Sequence, residues 1–182
     1  MSSVAQRSVM KVERNDFHAT RTCIVPGSFD PVTRGHIDII CRAGVLFDRV
    51  IVGVLNNLQK NPCFSLEKRQ EFVERACRAE GIRAEVVAFE GLLADLIRKE
   101  NACAIVRGLR GVPDFNYESQ FASLHRQLLP DVETVCLMQS PKVDNIASNF
   151  VRDVGRLGGD ISAWVPECIW EDVKKHLNPE ER

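Results

Sequence analysis

The chain has almost no net charge: 24 lysines and arginines stand against 25 acids, a formal balance of −1 over 182 residues. A global basic field that would draw nucleic acid is therefore lacking. Any anion-binding surface has to be built locally, from a few cationic side chains. Long apolar runs are missing as well, and none approaches the roughly 18–20 residues of a membrane span. The first twenty residues carry Arg7, Lys11 and Arg14 among polar neighbours and lack the apolar stretch of a signal peptide. The expectation is a cytoplasmic protein with neither nucleic acid nor membrane as partner. There is no internal repeat and no low-complexity segment.

Cysteine is present but unclustered. The seven cysteines are odd in number, widely spaced and without a C-x-x-C pair, which argues against a zinc site or a disulfide framework. Cys23 and Cys136 lie inside apolar runs, where a reduced cysteine acts as a small hydrophobe. No dedicated metal site is expected.

What remains is an ordinary globular composition, 45% hydrophobic and 27% charged, in a chain long enough for one domain with a sizeable core. Residues 1–20 lack periodicity and read as a mobile extension; residues 21–182 read as a single domain. Apolar runs at 22–27, 49–55, 84–90, 102–108 and 133–139 are predicted strands. Helical spacing follows each: Thr33 to about Ala43, a helix capped by Ser65 and running to about Ala79, "LLADLIRKEN" ending at Asn101, Asp114 to about Leu129, then about 145–157 and 166–177. Strands apolar on both faces and separated by helices imply an α/β fold, a doubly wound five-stranded parallel sheet. Such sheets bind ligands beyond the carboxyl ends of their strands, at the switch in strand order. That singles out the loops 26–36, 56–64, 90–93, 107–114 and 139–148.

The first loop, within "CIVPGSFDPVTRGHIDII" (23–40), breaks its backbone most heavily. Gly27 would let a ligand approach the backbone, Asp30-Pro31 fixes a turn, and Thr33 can cap the helix that follows. The first amides of that helix are expected to be unpaired donors forming an anion site. His36 sits beside them, with room left by Gly35. Read alone, each candidate has an ordinary alternative. His36 could be a capping residue and Ser28 a turn serine. Arg107 and Arg110, leaving an apolar strand, could be solvated rim residues or phosphate partners. Lys60 reads as a surface lysine and Leu93 as core. Asp114, Tyr117 and Glu118, at i, i+3 and i+4, read as an N-cap, a packing residue and a solvated acid.

"PGSFDPVTRGH" resembles the first motif of the adenylyl- and cytidylyltransferase superfamily, a G-x-F-x-P turn followed by T-x-G-H. The likeness runs from about residue 22 to 177 and is greatest to the phosphopantetheine adenylyltransferase family. "FDRVIVGV", "FSLEKR", "VRGLRGVPDFNYE" and "GDISAWVPE" follow in family order. The resemblance implies a Rossmann-like nucleotidyltransferase fold and transfer of AMP from ATP to 4′-phosphopantetheine. The products would be dephospho-coenzyme A and pyrophosphate, with Mg²⁺ accompanying ATP, in a homohexamer. It implies a catalytic role for His36. Ser28, Lys60, Leu93 and Arg107 would contact phosphopantetheine. Ser28, Phe29, His36, Gly108, Leu109, Arg110 and Glu118 would contact ATP, together with the loop Val143, Asp144, Asn145, Ile146, Ala147, Ser148 and Asn149. Asp114 and Tyr117 are left structural. The loop departs from the family pattern: Ala147 and Asn149 stand where hydroxyl residues are usual, and Val143 is near the place of an expected aromatic. Two alternatives stay open: a related nucleotidyltransferase with another acceptor, and a nucleotide-binding module without turnover, which the altered loop favours.

Overall fold

All five apolar runs form strands, and all lie parallel in one sheet of order β3-β2-β1-β4-β5. The computed structural model describes residues 20–56, 61–143 and 146–178. The expected extension at 1–20 lies, but for Thr20, outside the described residues. In chain order the elements are β1 (Thr22–Gly27), α1 (Arg34–Leu46), β2 (Arg49–Leu55), α2 (Leu66–Ala79), β3 (Glu85–Phe89), α3 (Leu93–Glu100), β4 (Ala104–Leu109), α4 (Val112–Leu128), β5 (Glu133–Met138), a 3-10 turn (Pro141–Val143), α5 (Ser148–Arg156) and α6 (Glu167–Leu177). Among the described residues no helix is long and apolar enough to cross a membrane.

The alternation of side chains along β1 and β2 makes two cores, one on each face of the sheet. Cys23, Val25, Val50, Val52 and Val54 face the larger one, filled by Ile40 of α1, Phe72 and Val73 of α2, Val151 of α5 and Ile169 and Val173 of α6. Ile24, Ile51 and Ile105 face the smaller one, closed by Leu96 and Ile97 of α3 and by Leu129. Burial on both faces explains why β1 and β2 read as continuous apolar runs. β5 is different. As an edge strand it alternates between exposed and half-buried positions, and Cys136 is exposed rather than in a core. All seven cysteines are free thiols.

Two helix starts differ from the sequence reading. α4 begins at Val112 because Pro113 suits a first turn, where its missing N–H costs nothing; Asp114 is therefore inside that turn and not its cap. α5 begins at Ser148, three residues later than expected.

The switch in strand order falls between β1 and β4. Their ladder pairs only Cys23 with Ala104 and Ile24 with Ile105, while β1 continues alongside β2 to Gly27. Pro26 has no N–H to offer β4. The two strands therefore part after Ile24 and Ile105, and a cleft opens between their carboxyl ends.

Candidate active site

The cleft has a volume of about 560 Å³ and is floored by Val25, Pro26 and Val106 where the strands separate. Eleven residues carried by the resemblance meet there: Ser28, Phe29, His36, Arg107, Gly108, Arg110, Glu118 and the stretch Ile146, Ala147, Ser148 and Asn149. Five more residues line it that the sequence reading left structural or passed over: Ile39, Asp114, Tyr117, Gln139 and Arg152. Leu109 is buried in β4 beneath the cleft. Val143 ends the 3-10 turn without joining the lining. Leu93 packs against the smaller core, as its helical spacing suggested, and lies outside the cleft. Lys60, Asp144 and Asn145 lie outside the described residues.

His36 is held by its own helix start. Thr33 is the N-cap of α1, and His36 at the third position completes a capping box. The Thr33 backbone N–H donates to His36 Nδ1 at 3.0 Å, and Thr33 Oγ1 lies 3.1 Å from the same nitrogen. An Nδ1 that accepts carries no proton, so the proton resides on Nε2 as a donor. Burial, with Arg110 and Arg107 nearby, lowers the imidazole pKa to about 4. His36 is thus a neutral hydrogen-bond donor at physiological pH. Phe29 buttresses it edge-to-face, ring centroids 5.1 Å apart. Phe29 reaches that position through a left-handed backbone, φ 48°, with its ring folded over Gly27, where a Cβ would stand 2.9 Å from the ring. Gly27 therefore makes room for Phe29, not for a ligand. Gly35 likewise admits Gln139, whose amide nitrogen would lie 2.7 Å from a Cβ there.

The first turn of α1 is not the free set of donors that its sequence suggests. Arg34 N–H donates to the Trp164 carbonyl at 2.9 Å, and the amides of His36 and Ile37 return to the Thr33 carbonyl. The helix start without a side-chain cap is α5. Its cap is Ala147, which has no side-chain oxygen for the first-turn amides. Ser148 Oγ donates instead to the Pro31 carbonyl, 2.8 Å, pinning α5 to the first loop. The loss of hydroxyls at 147 and 149 removes side-chain oxygens and keeps the helix end facing the cleft.

Three guanidinium groups line the cleft, each with its own carboxylate. Arg107 donates through Nε and Nη2 to Glu118 at 2.8 and 2.6 Å, and through Nη1 to the Pro26 carbonyl at 2.6 Å. Arg110 donates to Asp114 through Nε and Nη2 at 2.7 and 2.9 Å. Burial pushes the Asp114 carboxyl up, but hydrogen bonds from Arg110 outweigh it and hold the group below its ordinary range. Arg152 pairs with Asp30, 3.5 Å, and donates to the Asp30 carbonyl. Asp30 in turn accepts from the amides of Cys63 and Phe64 at 2.8 and 2.9 Å, tying down the loop before α2. The mouth is a set of neutral pairs with spare N–H groups, not a bare cationic surface. Among the described residues no group of three or more His, Cys, Asp or Glu side chains could hold a metal ion.

Arg152 was legible in principle: it lies four residues after Ser148, on the same face of α5. Arg69 was also missed. It occupies the buried face of α2 and is 1% exposed, with its guanidinium on the carbonyls of Ser28 (2.7 Å), Leu55 (3.0 Å) and Phe64 (3.1 Å). An arginine three residues before Phe72 in the apolar stripe of a helix is the signal that pointed to it.

The cytidylyltransferase-like family profile matches residues 24–154. A phosphopantetheine adenylyltransferase of Clostridium perfringens is 44% identical over 158 residues, covering 87% of this chain and 96% of that protein. Among solved structures, a bifunctional NMN adenylyltransferase/ADP ribose pyrophosphatase from Francisella tularensis superposes with a TM-score of 0.67 at 17% identity. The match covers 86% of this chain and about half, 49%, of that one. The same bifunctional protein complexed with AMP and a manganese ion gives 0.64. A putative nicotinate-nucleotide adenylyltransferase from Vibrio parahaemolyticus gives 0.63 at 16% identity, covering 87% of this chain and 96% of that one. At these identities the structural likeness speaks for the fold.

Proposed function

This chain belongs to the phosphopantetheine adenylyltransferases, within the cytidylyltransferase-like family, and on that premise we propose how its cleft performs the transfer. The enzyme moves AMP from ATP to 4′-phosphopantetheine, giving dephospho-coenzyme A and pyrophosphate. An oxygen of the phosphopantetheine phosphate attacks the α-phosphorus of ATP, and the bond to the bridging oxygen of pyrophosphate breaks. That oxygen is already an anion, so no strong base and no covalent intermediate are needed. The work is alignment of two polyanions and stabilisation of charge on the α-phosphate.

One observation carries this reading: His36, with Nδ1 occupied by Thr33, keeps a fixed Nε2 donor in the same cleft as Arg107 and Arg110. A neutral imidazole donates to the α-phosphate without having to give up its proton. Arg107, with Ser28 and Lys60, receives phosphopantetheine. Arg110, Gly108, Phe29 and the stretch Ile146, Ala147, Ser148 and Asn149 receive ATP, and Arg152, one turn into α5, adds a contact to the triphosphate. Mg²⁺ enters with ATP as the counter-ion of its phosphates; the carboxylates of the cleft are engaged with arginines and form no separate cage. The chain acts in the cytoplasm, as one domain over residues 21–182, and assembles as a homohexamer, a reading supported by the exposed Phe115, Phe121, Leu124 and Leu128 of α4.

Pyrophosphate release from ATP tests the activity directly. It is expected with 4′-phosphopantetheine and not with nicotinate mononucleotide or glycerol phosphate. Tight ATP binding without pyrophosphate in the presence of phosphopantetheine would leave a nucleotide-binding module instead.

A further inference from the structure

We infer that Asp38 is a positioning residue for the nucleotide side of the cleft, fixing through Ser140 the start of the segment that receives ATP; the inference rests on the reading of the cleft given above. Gly35, Asp38 and Arg42 fall at i, i+3 and i+7, along one stripe of α1. Each meets a different one of three consecutive residues at the end of β5. Arg42 Nη1 donates to the Met138 carbonyl at 2.6 Å. Gly35 leaves the space that the Gln139 side chain occupies. Asp38 Oδ1 accepts from Ser140 Oγ at 2.6 Å, and Oδ2 accepts from the Ser140 amide at 3.2 Å. The carboxylate is steadied in turn by Arg42 at 3.1 Å and is only 18% exposed.

The position of the segment explains why such a clamp matters. β5 is an edge strand paired with β4, and that pairing runs out where Gln139 N–H donates to the Leu109 carbonyl at 2.8 Å. The chain then turns through Pro141–Val143, with Val143 N–H donating to the Ser140 carbonyl at 3.0 Å. It goes on to Ile146, Ala147, Ser148 and Asn149 in the cleft lining. At the far end Ser148 Oγ donates to the Pro31 carbonyl. The segment is thus held at both ends by the first loop and α1, the unit that also carries His36. With Ala147 at the cap of α5, this side of the cleft depends on where its backbone lies, and Ser140 anchors that backbone upstream. Asp38 lies outside the cleft lining, so its effect on a nucleotide passes through Ser140.

Two single variants, their double variant and two independent readouts test the assignment. By calorimetry, Asp38→Ala is expected to weaken ATP binding about tenfold, as for loss of a hydrogen-bonded charge. The KM for 4′-phosphopantetheine is expected to stay within about twofold. Ser140→Ala, a change at a half-buried loop position, is expected to weaken ATP binding about threefold and serves if Asp38→Ala fails to fold. In the double variant the loss is expected to stay close to that of Asp38→Ala, because both act through one contact. In ligand-free protein, amide hydrogen exchange over residues 139–143 is expected to quicken about tenfold in Asp38→Ala, with β1 and β2 at wild-type rates. Unchanged ATP affinity, an equal rise in the phosphopantetheine KM, losses that multiply in the double variant, or wild-type exchange over 139–143 would each overturn the assignment. Wild-type protein that binds ATP and releases no pyrophosphate with any acceptor would end the proposed function instead, and the ATP affinities of the variants would still decide the role of Asp38.

Discussion

His36 has two partners that pull its chemistry in one direction. The Thr33 N–H can donate to Nδ1 only while the ring is neutral, and burial beside Arg110 and Arg107 disfavours the imidazolium as well. The folded-state pKa of about 4 lies below the ordinary value near 6.5. Between those two values the unfolded chain binds more protons than the folded one, so this histidine's contribution to stability is present above the ordinary value and is lost as pH falls towards 4. Urea midpoints of wild type are therefore expected to drop more steeply from pH 6.5 to 4 than those of His36→Gln; parallel curves would mean that the ring titrates freely. For catalysis, His36→Ala is expected to lose about a hundredfold or more in kcat, as for removal of one preorganised donor, with an unchanged circular dichroism spectrum. Near-normal turnover would take the imidazole out of the reaction.

At the scale of elements, the cleft depends on how separate pieces of backbone are tied together. Arg69 is the strongest tie: one guanidinium from α2 takes carbonyls from the end of β2, the first loop and the loop before its own helix. Burial lowers its pKa, opposed by the nearby Asp30 carboxylate. Arg69→Met would fill the same space and leave those carbonyls without their donor. We expect a loss of about 3 kcal/mol in urea unfolding, since each buried unsatisfied acceptor costs roughly 1–3 kcal/mol; a loss below about 1 kcal/mol would show that water replaces the guanidinium. The same logic separates the two helix starts at the cleft. α1 spends its first amides on Thr33 and Trp164, while α5 has no capping side chain.

Across the whole molecule, one surface stands out. Phe115, Tyr117, Phe121, Leu124 and Leu128 of α4 are each more than a third exposed, and β5 beside β4 is an open sheet edge. Sedimentation velocity is expected to give a hexamer for wild type and smaller species for Leu124→Glu, with the monomer still folded by circular dichroism. A wild-type monomer would refute the assembly.

Much of this was written in the chain itself. The strands at 22–27 and 49–55 were legible to the residue because burial on both faces leaves unbroken apolar runs, and parallel pairing made the switch point the place to look. The resemblance carried eleven of the site residues into one cleft. Sequence could not tell which groups those residues spend on each other. Glu118 as an isolated letter is a solvated acid; packed beside Arg107 it becomes a buried anchor. The amides after Thr33 read as free donors until Trp164, more than a hundred residues away, takes the first of them. Local pattern fixes which elements form, because periodicity and turn chemistry act between neighbours. Hydrogen-bond partners, tautomer and pKa depend on what distant segments bring within 3 Å, and only the folded chain decides that.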